Sequence, residues 1–140
     1  MNECLKLKQR YPDVIAGFDL VGSEDTGRPL TDYLAPLIAF QEKVKKLGIN
    51  LPFLFHAGET LDDGGQIDGN LYDAILLGTK RIGHGCVTSI SLLPGGLTEL
   101  LLGRFSLVKH PELMRICREK GILVESCPIS NEILVGFSTR

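Results

Sequence analysis

His56, Glu59 and His84 are the side chains of this sequence best suited to do chemistry together. The first two lie close in the chain, in His56-Ala57-Gly58-Glu59, and the third sits between glycines in Gly83-His84-Gly85. An imidazole can ligate a metal or move a proton, and a glutamate can act as a general acid or base. Ala57 and Gly58 let the backbone turn sharply and let a ligand come near. A histidine and a glutamate at this spacing often meet by chance, so the pair is a weak signal alone. His84 is a stronger one, because its flanking glycines offer no wall against which a core histidine would pack. His110, before Pro111, reads as a helix-start or surface residue without a catalytic role. Cys127 has no placed acid–base partner and reads as a packed thiol rather than a nucleophile.

These residues need rigid elements to hold them. Residues 14–20 form a continuous apolar run of strand length, as suits a parallel strand covered on both faces. A second run, residues 51–55, leads into His56, and a third, short one, Lys80-Arg81-Ile82, leads into His84. A fourth is Ile122-Leu123-Val124-Glu125. Between them lie helix patterns. Leu34, Leu37, Ile38, Val44 and Leu47 mark one face of a helix that Thr31 or Asp32 can cap, with Lys43, Lys45 and Lys46 in its last turn and Gly48 as its stop. Asp68 and Asn70 can cap a shorter helix with Leu71, Ala74 and Ile75 inside, ended by Gly78. Pro111 suits a first helical position, with Leu113, Ile116 and Cys117 facing inward and Gly121 as the stop. Residues 1–12 read as the tail of a helix or a linker. The order β-α-β-α-β-α-β predicts an α/β fold with a parallel sheet, its functional side chains at the strand ends.

The bulk composition is that of an ordinary globular chain. It has 140 residues, 44% hydrophobic and 23% charged, with a net charge of −2. Acidic and basic residues are interspersed, so neither a nucleic-acid footprint nor a polybasic membrane patch is present, and no partner of either kind is expected. No apolar run approaches the length of a membrane span. The four cysteines, Cys4, Cys86, Cys117 and Cys127, form no CxxC pair and read as buried or half-buried thiols. No GxGxxG and no GxxxxGK[ST] occurs, so neither dinucleotide nor P-loop chemistry is suggested.

Taken in order, Asp19-Leu20-Val21-Gly22, His56-Ala57-Gly58-Glu59-Thr60, Arg81-Ile82-Gly83-His84-Gly85 and Cys127-Pro128-Ile129-Ser130-Asn131 resemble the adenosine deaminase family. The wording is closest to its branch of adenosine deaminase-related growth factors. The resemblance covers most of residues 11–134. It implies part of a (β/α)8 TIM barrel of the metal-dependent hydrolase type, roughly strands four to seven, with one Zn2+ ion per complete site. It implies that His56 ligates zinc, that Glu59 protonates a purine ring nitrogen, and that His84 orients and deprotonates the attacking water. Gly22 would contact the purine through its backbone. The expected reaction is hydrolytic deamination of adenosine or deoxyadenosine to inosine and ammonia.

The departures from the family are equally specific. The His-x-His of its first strand and the paired aspartates of its eighth are missing, so the resemblance implies an incomplete zinc site and an inactive chain on its own. A non-catalytic remnant, or another purine aminohydrolase of the same family, is the alternative reading. Residues 86–104 are an apparent foreign insertion, and residues 135–140 a tail that no longer matches. Val87 and Val135 stand where the match fails, and a valine codon begins with GT, as introns do. Translated intron sequence is therefore expected at both places. Open barrel edges would favour self-association. The resembled branch is extracellular. This chain shows no apolar signal core after Met1, so as written it is expected to remain in the cytoplasm.

Overall fold

The computed structural model describes residues 1–60, 65–85, 110–125 and 127. Expectations for residues 86–104 and 135–140 lie outside them, as does most of the Cys127–Asn131 stretch.

Among the described residues, four α-helices alternate with the strands of a parallel sheet. Helix α1 spans Asn2–Arg10 and buries Leu5. The expectation of a helix tail is met, and the chain leaving it is pinned by Lys8, whose ammonium donates to the carbonyls of Pro12 and Ile15 at 2.6 and 2.7 Å. Helix α2 spans Leu34–Lys46, α3 Asn70–Leu76 and α4 Pro111–Lys120. The glycines expected to end the last three, Gly48, Gly78 and Gly121, all have positive φ, at 65°, 76° and 63°.

Two helix starts differ from expectation. Thr31 and Asp32 do not cap α2. Pro29 is extended, and it opens a 3-10 turn over Leu30–Tyr33 that absorbs both residues. Asp32 instead accepts a hydrogen bond from Arg28 Nε at 2.9 Å. Asn70 does not cap α3 either, because Gly69 takes the cap position and the Asn70 side chain turns inward. The buried stripe of α2 is Leu37, Phe40 and Val44, while Ile38 and Leu47 face solvent. Helical geometry explains the change: positions 37, 40 and 44 share one side, and Ile38 lies 100° round from Leu37.

The sheet has β1 at His56–Ala57, β2 at Arg81–His84 and β3 at Leu123–Val124, parallel and in the order β1-β2-β3. The run 14–20 contributes a parallel bridge, Phe18 to Phe53, on the other side of β1. Its two ladder bonds are Phe18 N to Pro52 O and Leu54 N to Phe18 O, both 2.9 Å. The ladder then stops for a local reason. The next amide of the neighbouring strand, His56 N, donates to Asp19 Oδ1 at 3.2 Å rather than to a backbone carbonyl. Spatial order thus follows chain order throughout these parallel segments.

One irregularity lies just before His84. Lys80 N donates to Phe53 O, and the next such bond runs from Gly83 N to Phe55 O. Two residues on one strand therefore match three on the other, which is a bulge. Thr79, fully buried, satisfies the amide left over: its hydroxyl accepts from Phe55 N at 3.2 Å and reaches the carbonyls of Phe53 and Arg81. Below the strand ends, Phe18, Phe40, Phe53 and Phe55 form a chain of ring contacts, the closest being Phe53 with Phe55 at 4.6 Å. This cluster joins α2 to the sheet and fixes the strand that carries His56.

Candidate active site at the strand ends

His56, Glu59 and His84 meet where β1 and β2 end. His56 is paired with Gly83 across the sheet, and Ala57 with His84. The chain then turns at Gly58, which has a φ of 84°, and this turn brings Glu59 back over β2. Glu59 Oε1 lies 2.5 Å from His84 Nε2, and both side chains are almost wholly buried. His84 has a φ of 66°, the only positive value for a non-glycine among the described residues. A bulky residue held there is strained, and such strain persists only where the surroundings enforce it. The ladder bond from Gly85 N to Ala57 O at 3.2 Å lies immediately after it.

The His56 ring stands 5.6 Å from that of His84. Its position depends on the residue across the sheet. A Cβ on Gly83 would fall 2.6 to 2.7 Å from three atoms of the His56 ring. Only glycine leaves room there. Asp19 flanks the ring on the other side, with Oδ2 2.8 Å from Nδ1. That oxygen is off the line of a ring N–H, so Nδ1 remains a buried nitrogen without a hydrogen bond. Arg81 approaches the same Asp19 oxygen at 3.7 Å and pairs with Glu125 at 3.0 Å, so one guanidinium serves two carboxylates across the strand ends.

A cavity of about 370 Å3 opens beside these residues. His56, Glu59, Gly22, Glu24, Leu20 and Tyr33 are among its walls. Gly22 faces open space, with no atom within 4 Å of where a Cβ would be. Of the residues singled out by sequence, His56, Glu59 and Gly22 thus share the cavity, and His84 joins them through Glu59. His110 stands apart, its Nδ1 2.8 Å from the hydroxyl of Tyr72. Among the described cysteines, Cys117 is buried, and Cys4 and Cys127 are half-buried. Burial pushes the Cys4 and Cys117 thiols up.

Sequence reasoning missed the residues that support the site. Glu24, in the loop that also carries Gly22, accepts hydrogen bonds from the amides of Gly58 and Glu59 and from Asn70 Nδ2. Burial pushes its carboxyl above the usual range, partly offset by those hydrogen bonds. Next to it, Asp25 accepts from the Thr60 hydroxyl. Asp19 left a signal as a charged residue near the end of an apolar strand, at a position like those of His56 and His84. Glu24 and Asn70 left no such signal.

Nitrogen and carboxylate donors of His56, Glu59 and His84 lie within 4.8 Å of one another. An imidazole and carboxylate donor set of this kind fits a zinc ion. Among the described residues no helix is long and apolar enough to cross a membrane.

A parallel α/β chain with a His–Glu–His cluster at its strand ends is the class that fold and site define. The family model described as adenosine deaminase matches residues 1–139. Adenosine deaminase 2-A of Danio rerio is 40% identical over 134 residues, which is 96% of this chain and 22% of that protein. Adenosine deaminase of Lutzomyia longipalpis is 42% identical over 96% of the chain and 21% of its own length. Adenosine deaminase 2 of Homo sapiens is 43% identical over 91% of the chain and 20% of its own length. The chain belongs to the adenosine deaminase family, and it spans about a fifth of the length of these relatives.

Proposed function

We propose that this chain is the part of a zinc-dependent adenosine deaminase that carries barrel strands four to seven. The observation that carries the reading is the convergence of His56, Glu59 and His84 on successive strand ends, beside a cavity large enough for a small ligand. Parallel neighbours in unbroken chain order support a (β/α)8 barrel over a doubly wound sheet, whose strand order reverses.

His56 is the zinc ligand in this reading, with the remaining ligands on family strands one and eight. When bound, zinc supplies a water acidified enough to act as a nucleophile near neutral pH. His84 orients that water and receives its proton. Glu59, shielded from bulk solvent, gives a proton to a ring nitrogen of adenosine, which draws electron density from the carbon bearing the amine. Gly22 lets the purine lie against backbone. Water adds at that carbon, the proton taken by His84 passes to the departing amine, and the hydroxyl proton returns to Glu59 as the carbonyl forms, so the C–N bond breaks to leave inosine and ammonia. Residues 86–104 are read as foreign to the domain; their presence in mature mRNA would overturn the intron origin.

The test is zinc content and adenosine turnover, followed by ultraviolet absorbance. It is run on the 140-residue chain and on an adenosine deaminase 2 whose corresponding segment it replaces. The chimera should turn over adenosine. There, His56→Ala should lose zinc, and Glu59→Gln should keep zinc while losing about a hundredfold or more in turnover. A folded, zinc-loaded chimera indifferent to Glu59→Gln would refute the assignment. No zinc and no turnover in either protein would favour the remnant.

A further inference from the structure

The loop of residues 21–29 touches the candidate site twice, once as cavity wall and once as support. Gly22 and Glu24 both line the cavity. Glu24 also reaches across to the turn after β1. Its Oε1 accepts from Gly58 N at 3.3 Å and from Asn70 Nδ2 at 2.9 Å, and its Oε2 accepts from Glu59 N. Three donors from two distant segments therefore meet on one carboxyl group.

Asn70 cannot be turned the other way. The amide of Leu30 donates to Asn70 Oδ1 at 2.7 Å, and a backbone N–H can only donate. The side-chain oxygen of Asn70 must face Leu30, so its NH2 must face Glu24. Glu24 is thereby required as an acceptor at that point. Asn70 is itself buried at the first turn of α3, a rigid base for the arrangement. The turn that Glu24 holds contains Gly58 in a left-handed conformation, which two unconstrained residues would not keep. Its product is the position of Glu59 against His84.

We propose that Glu24, held by Asn70, is a positioning residue that clamps the Gly58–Glu59 turn and so fixes the Glu59 carboxyl against His84. The role of Glu59 in that statement rests on the proposed deaminase reading, but the clamp itself does not. Because Glu24 belongs to the cavity wall, the clamp also ties that wall to the acid. A ligand seated against Gly22 presses on the same loop that sets Glu59.

Amide hydrogen exchange on the 140-residue chain tests this without any turnover. In Glu24→Ala, the amides of Gly58 and Glu59 should each exchange about tenfold faster or more, the loss of one hydrogen bond to a charged group. The amides of Leu77 and Ile122, bonded elsewhere, should be unchanged. The imidazole nitrogen shifts of His84 should move in the same variant as its contact with Glu59 loosens. Glu24→Gln keeps one acceptor oxygen and should restore protection at one of the two amides. It carries the test if the alanine variant does not fold. Unchanged exchange at both amides in a folded variant overturns the clamp. So does a uniform rise in exchange across the chain, which is the mark of a merely structural role. If the amides respond while Glu59→Gln leaves deamination intact in the chimera, the clamp stands and the functional reading falls.

Discussion

At the scale of the residue, the site depends on what is missing as much as on what is present. Gly83 contributes no side chain, and the His56 ring fills that space. Gly83→Ala should push the ring aside and weaken cobalt or zinc binding at His56 by about tenfold or more, as loss of ligand orientation does elsewhere. Titration of the metal against the chimera measures this, and an unaltered affinity would show that the ring has room to swing. Glu24 offers a prediction of a different kind. Its pKa is raised by burial, so folding favours the protonated form. The stability contributed is complete below about pH 4.5, the ordinary glutamate value, and is lost as pH rises through the higher folded value. The unmodified chain should therefore lose stability relative to Glu24→Gln between pH 4.5 and neutrality. Urea melts at the two pH values decide it. The opposite drift would mean that Asn70 and the two amides outweigh burial.

At the scale of the element, the strand that delivers His56 is held from below by aromatic packing. Phe53 and Phe55 stack at 4.6 Å, and Phe40 of α2 lies 6.3 Å from Phe53. Phe40→Ala should destabilise the protein by about 3 kcal/mol, through lost burial and the cavity left behind. Urea denaturation reads this directly. A loss well under 1 kcal/mol would mean that α2 settles onto the sheet without that ring. The same element shows where periodicity misleads. A hydrophobic stripe read from sequence took in Ile38 and Leu47, yet the sheet accepts Leu37, Phe40 and Val44. Apolar residues at the border of a helical face are assigned by what covers them, which the helix alone does not say. The exposed Arg115 pairs with Glu112 and Glu119 on α4 belong to the same scale, and as surface ion pairs they add little.

At the scale of the whole molecule, apolar side chains remain open at both ends of the sheet. Leu123 on β3 is 70% exposed, and Val14, ahead of the Phe18 bridge, is 77% exposed. In a closed barrel such positions would be covered. In the 140-residue chain they should drive concentration-dependent self-association, visible by sedimentation velocity. Leu123→Lys should shift the equilibrium toward monomer. Monomer at every concentration would show that these edges are protected in solution.

The α/β class, the helix stops and the chemical trio of His56, Glu59 and His84 were legible in the sequence. Each is a local property: apolar runs of strand length, glycines at helix ends, and reactive side chains placed just after strands. Helix caps were not legible at Thr31, Asp32 or Asn70, because a neighbouring Pro29 reshaped the chain or a distant donor, the Leu30 amide, took the capping oxygen. Nor was the support of the site. Glu24 lies 34 residues from Gly58 and 46 from Asn70, and Asp19 lies 37 from His56. Only the packing of parallel strands side by side brings those groups within hydrogen-bonding distance. Local sequence determined which residues can react. Tertiary structure decided which ones hold them in place, because a hydrogen bond is selected by distance in space and leaves no period or spacing along the chain.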